Sequence, residues 1–344
     1  MISDRCKSRK ERCGMAQKKK ILVTGRLPDE VMEQLAAACD MEANREDRPM
    51  EREQVLEKIA DKEGLLSVIT DRVDAELMDR APGLKVISNL AVGTNNIDVA
   101  AATARGIAVT NTPGVTTEPT ADLTLGLILA VARRIVEEDR LTREGKFQYW
   151  APMLFLGRSV AGKTLGIIGF GAIGQAVAKR ARGFDMRILY HRRQQLDPGR
   201  EKELGIEYAD FGRLLRESDF VSLHVPLTDE TRYLIGMKEL RQMKPTAFLI
   251  NASRGPVVNV KELVEALGKG VIAGAGLDVY ENEPALAPGL TELPNVVLTP
   301  HVGSGTIEDR TLMARMAADN LLAGLKGEVP RYILNPDIFK NPKK

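Results

Sequence analysis

Short aliphatic, β-branched runs alternate with helical patterns along most of the chain. Residues 21–23 read as a strand, 29–38 as a helix, 64–69 as a strand, 73–80 as a helix and 85–89 as a strand, with a further strand at 107–110. Strands separated by helices imply βαβ units and a parallel sheet covered on both faces. The turn-rich Asn111-Thr112-Pro113-Gly114 closes this set. A stretch at 120–140 follows that is apolar nearly all round at its centre, as a helix buried on several sides would be. Beyond an aromatic and Gly-bearing segment at 147–162, a second series places strands at 164–168, 186–190, 220–224, 247–251, 274–279 and 296–299. Six strands with intervening helices make a doubly wound sheet. A last helix at 306–325 leads the chain back towards the first set.

Composition limits what such a chain can be. At 344 residues it has room for one large or two medium domains. A hydrophobic share of 44% and a charged share of 28% exclude a disordered or collagen-like chain. The longest apolar stretch, 123–132, is far short of the roughly 20 residues needed to cross a bilayer. Net charge is +2, but residues 1–20 alone hold eight Lys/Arg against two Asp/Glu, so the body is mildly acidic and gives no reason to expect nucleic acid. Residues 1–18 read as a disordered basic extension without the apolar core of a secretory signal. Three cysteines (Cys6, Cys13 and Cys39) lack metal-ligand spacing and suit a reducing cytoplasm without disulfide or zinc.

The chemistry begins at Gly169-Phe170-Gly171-Ala172-Ile173-Gly174, between an apolar strand and a helix. In that context Gly169 permits the tight turn, Gly171 lets the backbone approach a pyrophosphate, and Gly174 allows close helix–strand packing. The helix N-terminus offers free N–H donors and partial positive charge to the phosphates. An NAD site usually ends its second strand on a carboxylate that holds the ribose 2′-hydroxyl. Here that strand runs into His191-Arg192-Arg193-Gln194-Gln195, with no carboxylate before Asp197. Two guanidiniums at that place suit a 2′-phosphate, so NADP is expected in preference to NAD.

Three further polar residues follow predicted strands, at the sheet edge where open α/β folds bind ligands. They are Arg254 in Asn251-Ala252-Ser253-Arg254-Gly255-Pro256, Glu283 in Asp278-Val279-Tyr280-Glu281-Asn282-Glu283-Pro284, and His301 in Leu298-Thr299-Pro300-His301-Val302-Gly303-Ser304. Together they are the parts needed to reduce a 2-keto acid. A guanidinium can hold the carboxylate through two bonds and polarise the neighbouring carbonyl, and a histidine held by a carboxylate can protonate the developing alkoxide.

These motifs resemble the D-isomer-specific 2-hydroxyacid dehydrogenases, over about residues 18–335. Ala91-Val92-Gly93-Thr94-Asn95-Asn96-Ile97-Asp98, Asn111-Thr112-Pro113, Thr120-Ala121-Asp122 and Leu154-Phe155-Leu156-Gly157 are most similar to the glyoxylate/hydroxypyruvate reductases. The resemblance implies a catalytic trio of Arg254, Glu283 and His301, with Val92 and Gly93 offering backbone N–H groups to the substrate carboxylate. It also implies cofactor contacts from Phe170, Ala172 and Ile173, from His191, Arg192 and Arg193, from Ala252 and Ser253, and from Val302 and Gly303. Asp278 would face the nicotinamide amide, and Thr120 and His224 would line the cofactor cleft.

The implied fold is α/β with two doubly wound parallel-sheet domains. A Rossmann cofactor domain, 118–305, is inserted into a flavodoxin-like substrate domain of 19–117 plus 306–344. The helix at 120–140 would be a dimer arm, explaining its apolar circumference and implying a homodimer. Two other readings stand beside a reductase of a small 2-keto acid: a phosphoglycerate dehydrogenase-like enzyme, and a dinucleotide-sensing corepressor without catalysis. A formate dehydrogenase would carry Gln in place of Glu283.

Overall fold

In the computed structural model, which describes residues 18–340, the chain divides at Gly114/Val115 and at Asp309/Arg310 into two units. Except for Lys18, the basic extension lies outside the described residues. The first unit holds β1 (Lys20–Val23), α1 (Asp29–Ala38), β2 (Asp40–Ala43), α2 (Arg52–Lys58), β3 (Gly64–Val68), α3 (Ala75–Arg80), β4 (Val86–Leu90), α4 (Val99–Arg105) and β5 (Ala108–Thr110). The second holds α5 (Thr117–Ala132), α6 (Ile135–Arg143), β6 (Thr164–Ile168), α7 (Ala172–Ala181), β7 (Arg187–His191), α8 (Pro198–Leu204), β8 (Ile206–Tyr208), α9 (Phe211–Glu217) and β9 (Phe220–Leu223). It continues through α10 (Met237–Leu240), β10 (Phe248–Asn251), α11 (Val260–Gly268), β11 (Gly274–Leu277) and β12 (Val296–Leu298). The helix α12 (Ile307–Leu325) carries the chain into the first unit again, where α13 (Asp337–Lys340) is the last described element.

The five strands of the first unit pair in parallel in the order β2-β1-β3-β4-β5, the flavodoxin-like arrangement. Both faces are covered, which is why β1 is an unbroken apolar run instead of an alternating one. Ile21 and Val23 pack with Leu66, Val86, α1 and α12, while Leu22 packs with Leu65, Ile87 and the opposite layer around Ile59 and Leu77. Small residues bring α12 down onto the sheet: Ala314, Ala317 and Ala318 are buried there, and a Cβ on Gly324 would come within 2.7 Å of the Val86 side chain.

The second unit is a seven-stranded parallel sheet, β12-β11-β10-β9-β6-β7-β8, the Rossmann order with one additional strand at the β12 edge. Its strand order reverses between β6 and β9, so the carboxyl ends of those strands flank the crevice where such sheets take ligands.

Two expectations need correction. The sheet has seven strands, not six, because β8 is a three-residue edge strand that leaves too short a pattern to read. The helix expected at 120–140 is two helices. α5 ends at Ala132, ahead of Arg133 and Arg134, and Arg134 turns the chain with φ of 58° before α6, which buries none of its residues. α5 packs on α7 and on β10, β11 and β12 of its own chain, which buries most of its apolar residues, while Leu123, Leu129 and Ala130 stay half-buried. The strand β2 and the helices α2 and α4 are further elements that the hydrophobic pattern does not announce.

Candidate active site

The carboxyl edge of the second sheet is built from three adjoining turns, after β10, β11 and β12. Past β10, the buried Asn251 side chain organises its own loop. Its Oδ1 accepts from Ser253 N and Oγ at 3.0 and 2.8 Å, and its Nδ2 donates to the Arg254 carbonyl at 3.0 Å. Gly255 is required by close approach, since a Cβ there would sit 1.9 Å from the Tyr280 backbone. Arg254 is thereby held half-buried, with one bond from Nη1 to the Ser253 carbonyl at 2.7 Å. Among the described residues, no carboxylate lies within ion-pair distance of it. Burial lowers its pKa from the ordinary guanidinium value, against the opposing charge of Glu283. A desolvated cation without a mate is a site for an anion.

Past β11, the Tyr280 N–H donates to Glu283 Oε1 at 2.8 Å, and Glu283 Oε2 meets His301 Nδ1 at 2.6 Å. Burial raises the Glu283 carboxyl, but the His301 and Tyr280 hydrogen bonds and the charges of His301 and Arg254 outweigh it, so its pKa lies below the usual value. An ionised carboxylate can only accept, so Nδ1 carries the proton towards Glu283 and Nε2 is left to give or take one.

Past β12, the loop that carries His301 is latched by Asp278, which is 1% exposed. Asp278 Oδ1 accepts from Thr299 Oγ1 at 2.6 Å and Val302 N at 2.8 Å, and Oδ2 accepts from Gly303 N at 2.8 Å. His301 itself has φ of 54°, a left-handed conformation that a side-chain-bearing residue keeps only when its surroundings impose it. Its N–H donates to the Asp278 and Thr299 carbonyls. Most of the Asp278 carboxylate is thus spent on the loop, leaving one Oδ2 lone pair for the expected amide contact. Gly303 is confined between Asp278 and Thr120, whose Oγ1 would lie 3.2 Å from a Cβ there.

The glycine loop after β6 has the shape of a dinucleotide cradle. Gly169 has φ of 93°, and a Cβ on it would strike the His224 carbonyl at 2.4 Å; one on Gly174 would strike the Gly169 carbonyl at 2.4 Å. A Cβ on Gly171 would meet nothing within 4 Å, and no side chain caps the N-terminus of α7. Open space therefore lies beside unclaimed helix N–H donors, the requirement for a pyrophosphate. Across the switch point, His224 Nε2 contacts Ser222 Oγ at 2.8 Å while its Nδ1 is buried without a partner, a polar atom awaiting a ligand. The residues present fit a dinucleotide.

Other expected contacts are distributed unequally. The Phe170 ring packs into the core against Tyr190, 4.7 Å between centroids, leaving only backbone at that position for a cofactor. His191 Nδ1 is engaged with the Ala209 carbonyl at 3.0 Å. Arg192 and Arg193 follow β7 with no ion-pair partner among the described residues, whereas nearby Arg187, Arg200 and Arg213 are all paired. Ala252 and Ser253 are buried in the β10 turn. Val92 and Gly93 belong to the first unit, just past β4. Sequence reasoning missed Asn251, Tyr280, Thr299 and Ser222 as supports; the Asn-x-Ser spacing at 251–253, which makes an Asx turn, was the one local signal available.

The sequence profile of the D-isomer specific 2-hydroxyacid dehydrogenase NAD binding domain matches residues 125–303. The glyoxylate reductase of Thermococcus litoralis is 51% identical over 326 residues, spanning 94% of this chain and 98% of that protein. Among solved structures, the TT0316 protein of Thermus thermophilus superposes with a TM-score of 0.85 at 46% identity, covering 92% of this chain and 99% of that one. An NADPH-dependent glyoxylate/hydroxypyruvate reductase of Sinorhizobium meliloti, solved with NADP and malonate, gives 0.82 at 32% identity, covering 95% and 100%. With the nucleotide cradle and the His301–Glu283 pair on one sheet edge, these likenesses agree: the chain belongs to the D-isomer specific 2-hydroxyacid dehydrogenase family.

Proposed function

We propose that the chain reduces a small 2-keto acid, glyoxylate or hydroxypyruvate, to the corresponding 2-hydroxy acid, with NADPH preferred to NADH. The observation that carries this reading is the unpaired, half-buried Arg254 guanidinium beside the 2.6 Å Glu283–His301 pair. A bound reduced nicotinamide supplies the hydride. Arg254 holds the substrate carboxylate and draws electron density from the adjacent carbonyl. His301 Nε2 gives its proton to the oxygen as the alkoxide forms, Glu283 keeps the ring oriented, and solvent returns the proton. Val92 and Gly93 contribute N–H groups to the carboxylate. Preference for NADPH is supported by the guanidiniums of Arg192 and Arg193, which stand in no ion pair among the described residues and where a 2′-phosphate can take forked bonds.

A homodimer completes the reading. Ile135 and Val136 on α6, with Phe147, Tyr149, Trp150 and Met153 after it, are all exposed, the last at 80%, and a second copy would cover them.

The decisive experiment mixes the protein with NADPH and glyoxylate or hydroxypyruvate and follows nicotinamide absorbance. Turnover is expected, and His301→Ala is expected to lower kcat by roughly 10²–10⁴ while NADPH affinity holds. Near-normal kcat in that variant overturns the assignment; no turnover with any small keto acid by the unaltered protein favours the non-catalytic sensor.

A further inference from the structure

The turn after β4 in the first unit has an order that the reaction alone does not explain. Three successive backbone carbonyls there are each held by a donor from the same unit. The Ala91 carbonyl accepts from Thr112 N at 3.0 Å, the Val92 carbonyl from Asn111 Nδ2 at 2.9 Å, and the Gly93 carbonyl from Asn89 Nδ2 at 2.9 Å. In a trans peptide the N–H points opposite to the carbonyl of the same plane. Holding Ala91 O therefore sets the direction of the Val92 N–H, and holding Val92 O sets that of the Gly93 N–H. Neither N–H has a hydrogen-bond partner among the described residues, and Val92 is 39% exposed.

The two asparagines are themselves fixed. Asn89 is fully buried, accepts from Ser67 Oγ at 3.1 Å and is joined to Asn96, which ties back to the carbonyls of Val68 and Asp71. The main chain of Asn111 receives Asn320 Nδ2 from α12 on its carbonyl at 3.2 Å and donates its N–H to the Tyr332 carbonyl. The Asn111 side-chain amide has a single hydrogen-bond partner among the described residues, the Val92 carbonyl.

We propose that Asn111 is a positioning residue for the substrate carboxylate, braced by Asn89: Asn111 clamps the Val92 carbonyl and Thr112 N holds that of Ala91, so that the Gly93 and Val92 N–H groups stand preoriented towards an anion, while Asn89 secures the end of the turn through the Gly93 carbonyl. This rests on the reading of the chain as a 2-keto acid reductase, and it adds residues that touch neither substrate nor cofactor. Preorientation spares the turn the cost of ordering when the substrate arrives, so its loss weakens carboxylate binding and leaves the chemical step alone.

The test uses the full-length protein and the variants Asn111→Ala and Asn111→Asp, both at a partly exposed side chain, each checked for folding by its melting curve. The expected result is a KM for glyoxylate raised about tenfold, the loss of one hydrogen bond, with kcat within about threefold and the Kd for NADPH unchanged. The inhibition constant of oxalate, a non-reacting carboxylate, should rise in parallel. The proposal is overturned if the folded variants keep the KM and the oxalate constant of the parent, or if the change falls on kcat or NADPH binding. A parent protein that turns over no 2-keto acid refutes the reductase reading itself, and the proposal falls with it; an active parent with indifferent variants refutes only the role of Asn111.

Discussion

Asp278→Asn is the sharpest probe of how His301 is held. The carboxylate accepts three bonds from the loop at 299–303, and an amide of the same shape keeps one acceptor oxygen while turning an NH2 on a group that also donates. At least one backbone N–H, that of the half-shielded Val302 or that of the buried Gly303, then loses its acceptor. Charge-assisted bonds contribute about 1.5–3 kcal/mol each, so the variant forfeits about 1.5–3 kcal/mol if one bond is lost and about 3–6 kcal/mol if two are. His301 then loses the surroundings that impose its φ of 54°, a conformation costing about 1–3 kcal/mol, and the loop relaxes. If about 3 kcal/mol of the loss is felt as displacement of the ring, kcat falls by about 10². Melting, steady-state kinetics and a fluorescence titration of NADPH separate the contributions. The expected outcome is a lowered Tm, a kcat down about a hundredfold and a modest change in NADPH affinity. A folded variant with kcat within about threefold of the parent refutes the latch, and a loss confined to NADPH affinity makes Asp278 a nicotinamide contact instead.

Two further predictions concern the loop after β7 and the turn after β9. Arg192→Asp combined with Arg193→Ala should raise the KM for NADPH far more than that for NADH, and equal changes in both would remove the argument for a 2′-phosphate site. Burial lowers His224 to about 4 from an ordinary 6.5, so the unfolded chain takes up its proton first as the solution is acidified. Its contribution to stability is complete above pH 6.5 and drains away towards pH 4, and His224→Gln should flatten the fall of Tm across that window. An unchanged slope in the variant would contradict the assignment.

Much of this architecture was legible because both sheets are buried on two faces. Apolar runs such as Ile21–Leu22–Val23 and the glycine-terminated run into Gly169 announce central strands whatever lies around them. The edges were illegible for the same reason: β2, Asp-Met-Glu-Ala, is half exposed and carries no β-branched residue, and β8 is three residues long. The break between α5 and α6 falls at two arginines that carry no breaker signal; only the left-handed Arg134 marks it. At the site, residues that follow strands could be assembled on one edge from their order alone. The supports could not, because Tyr280 and Val302 act through backbone N–H groups, which any residue type supplies.

The core beneath the first sheet has a temporal consequence. One face of that sheet is closed by Ala314, Ala317, Ala318, Leu321 and Leu325 of α12, residues synthesised after the whole nucleotide-binding unit. On the ribosome, the earliest strands must therefore wait with an uncovered apolar face while residues 115–309 emerge and fold between them and their cover. Nonsense or frameshift lesions in the codons for 310–325 would consequently damage the sheet made before them and spare residues 115–309.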